Sequence, residues 1–470
     1  MKKVADNKTV FMNHVYILGF GSIGKALLPV IFQKLAIQPS QVTIIDRDNS
    51  LRAIAEEFQV AFELLNLDSQ NYKHLLNARL RPNDFLVDVS YNISSTALIE
   101  LCDQREVLYI NTSTEPWYEE WHVKKPNAAS HTNYHLRQQT LGLKGKTKKT
   151  AVITHGANPG LISHFVKQAL LDVAEDCELN IQIPKSSEAW ANLASQLEIK
   201  AIHIAERDTQ KTKKTKSANE FVNTWSIYGL TDESIMPAEL GWGTHERHWP
   251  LDAHAHNQGS QCAIYLMHPG ATVRARSWTP SRGAYHGWVI SHAESITLAG
   301  YLTAQDKSKV IYRPTVHYVY DPCPDAARSL QELRTQEWNL HKKARLIVND
   351  IVTGDDELGV LLMGNKKGAY WFGSTLSIQE ARSIAPHNNA TSLQVIAGII
   401  SAMLWAIENP NEGVIEPEEI DHEYVMNIAL PYLGKVSGHY TDWTPLQDRV
   451  LGISKRDEHD PWQFINIRVE

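Results

Sequence analysis

Between residues 14 and about 155, short apolar runs alternate with stretches whose apolar positions return at helical spacing. The runs are Val15-Tyr16-Ile17-Leu18, Val42-Thr43-Ile44-Ile45, Phe85-Leu86-Val87-Asp88-Val89, Val107-Leu108-Tyr109-Ile110 and Ala151-Val152-Ile153-Thr154. Runs of this kind fit strands covered on both faces, and their alternation with helices predicts a parallel sheet with helices on each side. Ligands of such sheets sit beyond the carboxyl ends of the strands. That rule places three segments on one rim: Ser90-Tyr91-Asn92, Asn111-Thr112-Ser113-Thr114-Glu115-Pro116-Trp117 and His155-Gly156-Ala157-Asn158-Pro159-Gly160.

Beyond about residue 185 the texture changes. Runs rich in β-branched and aromatic residues crowd together at Ile202-His203-Ile204, Val222–Ile227, Ala263–Leu266, Trp288-Val289-Ile290 and Val310–Tyr320. Few helical patterns separate them before Asp325–Glu337, which predicts a second, α+β domain built on a mostly antiparallel sheet. The stretch from Leu393 to Ile407 is interrupted by Gln394, Gly398 and Ser401. It is too short to span a bilayer and reads as a buried helix ending at Asn409-Pro410. The expected division is residues 1–160, 161–390 and 391–470, the last a helical segment packing back on the first.

Chemistry enters at Gly19-Phe20-Gly21-Ser22-Ile23-Gly24, between the first run and a helix that begins near Ser22. The second run ends in Asp46, 22 positions after Gly24. A glycine motif alone is weak. With a strand before it, a helix after it and an acid at this distance, it is a dinucleotide-binding fingerprint on a doubly wound sheet of Rossmann type. The helix N-terminus offers its free N–H groups to phosphates. Asp46 accepts from ribose hydroxyls and repels a 2′-phosphate, so NAD is expected over NADP, although Arg47 would bind such a phosphate if it turned inward. The cofactor positions are Gly19, Gly21, Ser22, Ile23, Gly24 and Asp46, joined from the rim by Ser90, Asn92, Thr112, Ala157 and Asn158.

A chain of 470 residues is too long for one core, which agrees with two domains. Its net charge of −7 argues against a nucleic-acid partner. The basic runs Lys144–Lys149 and Lys211–Lys216 lack aromatic neighbours for base stacking and read as solvated loops. The four cysteines are widely spaced without a CxxC pair, which suits reduced thiols in the cytoplasm and leaves no metal site expected. Met1–Lys8 has no apolar core, so no secretory leader and no membrane partner are expected.

The second domain carries polar and aromatic residues that composition would not predict: Glu206, Arg207 and Asp208 at a strand end, Trp225 within the next strand, then Glu233, Glu239, Glu246 and His292. A pocket of carboxylates and an indole face is how a protein holds an amine. Carboxylates pair with ammonium groups, and the indole attracts a cation by roughly 0.5 to 2 kcal/mol.

Several long segments resemble those of the bacterial homospermidine synthases. They include His203-Ile204-Ala205-Glu206-Arg207-Asp208-Thr209-Gln210, Asn223-Thr224-Trp225-Ser226, Pro237-Ala238-Glu239-Leu240-Gly241-Trp242-Gly243-Thr244-His245-Glu246 and Asp356-Glu357-Leu358-Gly359-Val360-Leu361-Leu362. Gly156-Ala157-Asn158-Pro159-Gly160, Tyr440-Thr441-Asp442-Trp443-Thr444-Pro445-Leu446 and Pro461-Trp462-Gln463-Phe464 belong to the same resemblance, which runs from the glycine turn to the C-terminus. More distantly the layout is similar to saccharopine and carboxyspermidine dehydrogenases.

The resemblance implies a redox-neutral, NAD-dependent transfer of an aminobutyl group in a cytoplasmic homodimer. Putrescine is oxidised to an imine, a second putrescine displaces ammonia, and the new imine is reduced to sym-homospermidine. Spermidine serves as an alternative donor and releases 1,3-diaminopropane. By the same resemblance Trp225 stabilises the cation, Glu206 and His292 lie near the reacting nitrogen, and Glu233 anchors a distal ammonium at the entrance. Asn158 and Glu115 line the inner pocket, and Asp356 contributes to it.

Blander alternatives stand beside these roles. Trp225 could be strand packing, His292 a histidine bonded to backbone, and Glu206 a partner of Arg207. Glu239 and Glu246 suit loop folding at least as well as chemistry. Two other functions also stay open. A reductive condensation of an amine with a carbonyl would want an arginine cluster, with Arg207 and Arg247 the nearest candidates. A non-enzymatic NAD-binding sensor would make the acids incidental.

Overall fold

In the computed structural model, which describes residues 8–124, 127–447, 449 and 456–469, the apolar runs of the first third lie side by side in one parallel sheet. The opening residues up to Asn7, read above for a leader, fall outside the described part. The sheet order is Val414–Ile415, Ala151–Val152, Leu108–Asn111, Phe85–Asp88, Val15–Leu18, Val42–Asp46 and Ala61–Leu64, every neighbouring pair parallel. Ile17 sits between Ile44 on one side and Val87 on the other, both fully buried. The strand order reverses between Val15–Leu18 and Phe85–Asp88, so the ligand crevice of this sheet opens there.

The second sheet has eleven strands and is Rossmann-like in nothing but its burial. At its centre Ala201–Asp208 runs parallel to Thr315–Asp321 and antiparallel to Asp355–Asn365. Pro237–Gly241 and Ala263–Pro269 extend it on one side, Gly368–Ser377 and Lys435–Thr441 on the other, in antiparallel pairs. Alternation on the central strand turns Ile202, Ile204, Glu206 and Asp208 toward the first domain. Ala201, His203, Ala205 and Arg207 face the other way, under a cover that includes Trp462 and Phe464.

Some elements depart from the sequence reading. The strand expected over Val222–Ile227 stops at Asn223, because Ser226 caps a helix over Ile227–Ile235 by accepting the Gly229 N–H at 3.0 Å. The run Val310–Tyr320 is broken at Arg313-Pro314 into Lys309–Tyr312 and Thr315–Asp321, since proline has no N–H for a ladder. Residues 391–470 are not helical throughout: Lys435–Thr441 is a strand that returns to the second sheet.

The buried helix spans Ala390–Glu408 with Asn389 as its cap. The helix is longer than the stretch read from sequence and, contrary to that reading, is long and apolar enough to cross a membrane, yet most of it lies inside the protein, against the helix Ser22–Lys34. Each of its buried leucines and isoleucines contributes roughly 1.5 to 3 kcal/mol. Among its interruptions, Ser401 donates back to the Ala397 carbonyl inside the helix, whereas Gln394 and Gly398 make docking contacts. Gln394 Nε2 donates to the Asp356 carbonyl at 3.2 Å and to Ser374 Oγ at 3.0 Å. A side chain at Gly398 would stand 1.9 Å from the Gly156 carbonyl, so only glycine lets the helix lie against the loop that carries Asn158.

Candidate active site between the two sheets

The glycine turn is built for close approach. A Cβ at Gly24 would stand 2.3 Å from the Gly19 carbonyl, whereas a Cβ at Gly21 would meet nothing within 4 Å. The first contact lets helix pack on strand, and the second leaves the space that a pyrophosphate needs. Gly21 caps the helix without a side-chain hydrogen bond, so its first N–H groups stay free for an anion. Ile23 contributes its backbone here, its half-buried side chain packing on the core. Asp46 accepts from the Phe20 N–H and, at 2.8 Å, from the Asp48 N–H, which holds its carboxylate at the edge of the turn.

Around the crevice, buried polar atoms lack protein partners: Ser22 Oγ, Asn92 Oδ1 and Thr154 Oγ1. Buried polar groups are normally paired, so three orphans spread along the carboxyl edge of one sheet fit an extended polar ligand. Ser90 is bound to Asp88, its hydroxyl donating to Oδ1 at 2.5 Å. Thr112 lies beside Gly156, and Ala157 is buried at the start of the Asn158 loop. The sequence-predicted rim therefore surrounds one crevice.

Glu206 faces this rim from the second sheet. Its Oε2 accepts from Asn158 Nδ2 at 2.7 Å and from the Tyr318 hydroxyl at 2.5 Å, while Oε1 has no hydrogen-bond partner among the described residues. Burial pushes its pKa up to about 7. Asp208, two residues on and on the same face, accepts from Thr224 Oγ1 at 2.9 Å, and burial raises it to about 6. Asp356, directly across from Asp208, accepts from Thr391, leaves Oδ1 unpartnered and is held well above the ordinary carboxyl range by burial and by Glu206 and Asp208. Three buried acids share a wall, and none of them forms an ion pair with a lysine or arginine among the described residues.

His292 closes the outer side. Its Nε2 meets Glu233 Oε2 at 3.1 Å and its Nδ1 meets Glu294 Oε1 at 3.2 Å. Burial favours the neutral ring, but the two carboxylates outweigh it and hold the imidazolium pKa well above the ordinary histidine value. Backbone bonding, the bland alternative for His292, is not what holds it. Burial also raises Glu233, against the pull of His292. Glu115 is pushed up to about 8 by burial, with Ser113 Oγ donating to it at 2.9 Å.

Trp225 corrects one expectation, since it lies in the turn after the strand and not within it. Thr224 and Ser226 pin that turn, and a Cβ at Gly229 would stand 2.8 Å from the indole. Its half-buried ring has no lysine or arginine over it among the described residues. Arg207 faces away from Glu206 and lies 3.6 Å from Asp321, so the Glu206–Arg207 alternative fails. Glu239 accepts the Asn133 and Tyr134 N–H groups and Ser291 Oγ, and Glu246 accepts Thr315 Oγ1 and the Phe464 N–H. Both are fold-building acids.

Other residues at the site were given no role from sequence. Asp208 was legible by its spacing from Glu206, since alternate residues of a strand share a face. Tyr91 and Asp232 were not. The Tyr91 hydroxyl donates to Asp232 Oδ2 at 2.5 Å, with His122 Nε2 3.2 Å from the same hydroxyl. This bond ties the rim of the first sheet to the helix that carries Glu233.

Residues 15–154 match the family profile described as the saccharopine dehydrogenase NADP binding domain, and residues 156–442 match the saccharopine dehydrogenase C-terminal domain. The chain is 44% identical over 468 residues to a homospermidine synthase of Mesorhizobium japonicum, covering 97% of this chain and 96% of that one. It is 43% identical over 467 residues to a homospermidine synthase of Blastochloris viridis, covering 97% of each. The crystal structure of a homospermidine synthase from Legionella pneumophila in complex with NAD superposes with a TM-score of 0.93 at 57% identity, over 98% of this chain and 99% of that one.

Proposed function

The chain belongs to the homospermidine synthase family, and from that footing we propose that it joins two polyamines by moving an aminobutyl group, with Glu206 as the proton acceptor. Putrescine gives the aminobutyl group and a second putrescine receives it, releasing ammonia. Spermidine as donor releases 1,3-diaminopropane. The observation that carries this reading is the wall of Glu206, Asp208 and Asp356, buried acids with no lysine or arginine paired to them among the described residues. Such a wall suits a cationic chain and repels a carboxylate substrate.

The glycine turn and Asp46 would hold NAD, which would supply a reversible hydride acceptor for the amine-bearing carbon. The remaining work falls to this chain. An amine gives up hydride only when neutral, so Glu206 Oε1 takes a proton from the reacting ammonium. His292 is clamped at both ring nitrogens and stays protonated, which leaves Glu206 as the group that exchanges protons. Trp225 presents its open face to the cationic nitrogen. Glu233, at the outer end of the clamp, anchors the distal ammonium and so keeps the reacting carbon in range. Glu115, Asn158 and Asp356 line the inner pocket. The Tyr91–Asp232 bond across the mouth shields the substrate imine from water.

The reductive condensation of an amine with a keto acid has less support. Among the described residues its arginine cluster is missing from this wall, with Arg207 turned to Asp321 and Arg247 paired with Asp457 at 2.6 Å. Asp46 at the turn supports NAD over NADP. Four unpaired cysteines support a cytoplasmic location. Trp249, Leu251 and Met267, exposed near the edge strand Ala253–Ala255, support a homodimer. The test is incubation with putrescine and NAD+, followed by product chromatography and an ammonia assay. Homospermidine and ammonia in equal amounts without net NADH are expected, and steady NADH accumulation would overturn the proposal.

A further inference from the structure

Tyr318 lies on Thr315–Asp321, the parallel neighbour of the strand that carries Glu206, in register with Ile204. It is 3% exposed, and its hydroxyl donates to Glu206 Oε2 at 2.5 Å. Asn158 Nδ2 donates to that same oxygen. Both protein donors therefore occupy one oxygen of the carboxylate and leave Oε1 for the substrate. The Tyr318 ring also lies 4.3 Å from the His292 ring and stacks on Tyr320 at 5.3 Å. Tyr320 is a natural contrast, because it sits two residues along the same face with its buried hydroxyl unpartnered.

We propose that Tyr318 is a positioning residue for the reaction: its hydroxyl holds Glu206 so that Oε1 faces the reacting ammonium and remains an ionised acceptor at neutral pH. The inference rests on the reading of Glu206 as the base. A charge-assisted bond from a phenol stabilises the carboxylate against its protonated form, opposing the burial that raises it. The titratable groups around Glu206 are Asp208 on its own strand, Asp356 on one neighbouring strand, Tyr318 and Tyr320 on the other, His292 ahead of the helix Glu294–Tyr301 and, on the opposite face of the sheet, Tyr285. Of these, only Tyr318 donates a hydrogen bond to Glu206.

The test is single-turnover oxidation of putrescine, read as NADH absorbance across pH, with NAD binding measured alongside. Tyr318→Phe keeps the ring packing and removes the donor. Its acid limb should move up by about one pH unit, with about a fivefold loss at neutral pH that is regained in alkali and with NAD binding unchanged. Tyr318→fluorotyrosine, a stronger donor of similar size, should move the limb down. Tyr320→Phe should leave the limb where it is. An unmoved limb in both Tyr318 variants, an equal loss at every pH, or the same shift in Tyr320→Phe would overturn the proposal. Glu206→Gln separates the two claims. If it keeps the wild-type rate, the base assignment and this inference both fall. If it abolishes oxidation while the Tyr318 variants behave as wild type, only this inference falls.

Discussion

Asn158 and Glu206 belong to opposite sheets and meet in one hydrogen bond, the amide Nδ2 donating to the carboxylate Oε2 at 2.7 Å. The Asn158 loop is itself held by the buried helix, through the close approach of Gly398 to Gly156. The first domain thus grips Glu206, the proton acceptor proposed for the second. Asn158→Asp removes the donor and sets two carboxylates at a distance where both cannot ionise. Hydride transfer in a single turnover at neutral pH should drop at least about fivefold, because one unit of added proton affinity on a base with a pKa of about 7 already costs that factor there. A rate within about twofold of wild type would contradict the role given to this pair.

Trp225 is half-buried against the core on a turn pinned on both sides, so substitutions there leave the backbone of the turn in place. Trp225→Phe should keep part of the activity and Trp225→Ala should lose most of it, in line with a cation–π contribution of roughly 0.5 to 2 kcal/mol. NAD binding should survive in both. Equal kcat/KM for all three proteins would remove the assignment.

The buried acids make stability depend on pH in a defined sense. Glu206, Asp208 and Glu115 have folded pKa values raised to about 7, 6 and 8, so each binds its proton more tightly folded than unfolded. The stabilisation from holding these protons is complete at acid pH and is lost as pH rises from the ordinary carboxyl range through about 6 to 8. A diamine replaces those protons with ammonium groups. Putrescine should therefore raise the melting temperature more at pH 8 than at pH 6, as read by differential scanning fluorimetry. An equal or smaller rise at pH 8 would contradict the carboxylate wall as its binding site.

Tyr91, His122 and Asp232 form a bridge between the rim of the first sheet and the helix that carries Glu233, with His122 Nε2 3.6 Å from Asp232. Asp232→Asn weakens that bridge without touching Glu206. The variant should release free aminoaldehyde from the imine, detected by a carbonyl-trapping reagent, together with NADH that the wild type retains. Unchanged leakage would show that the imine is protected elsewhere.

The parts of this site that lie on one stretch of chain were legible beforehand. The glycine turn and Asp46 follow from a strand–turn–helix pattern, and Glu206 with Asp208 follows from the two-residue period of a strand. Trp225 was misplaced because Val222–Ile227 is rich in strand-forming residues, and the competing signal, a serine capping the helix at Ser226, is a single hydroxyl. Tyr318 lies 112 residues from Glu206, and Asp232 lies 141 from Tyr91. Such meetings are set by strand order and domain docking, and no local period encodes them. The strand Lys435–Thr441 escaped for the same reason, since its partner Gly368–Ser377 is remote and its own apolar content is low.

The most direct measurement uses putrescine fully deuterated at its amine-bearing carbons, incubated with NAD+ and an excess of unlabelled NADH. A redox-neutral transfer that returns the same hydride predicts homospermidine with every deuterium retained and no deuterium in the nicotinamide pool. Homospermidine lacking a deuterium, with label appearing in free NADH, would contradict it.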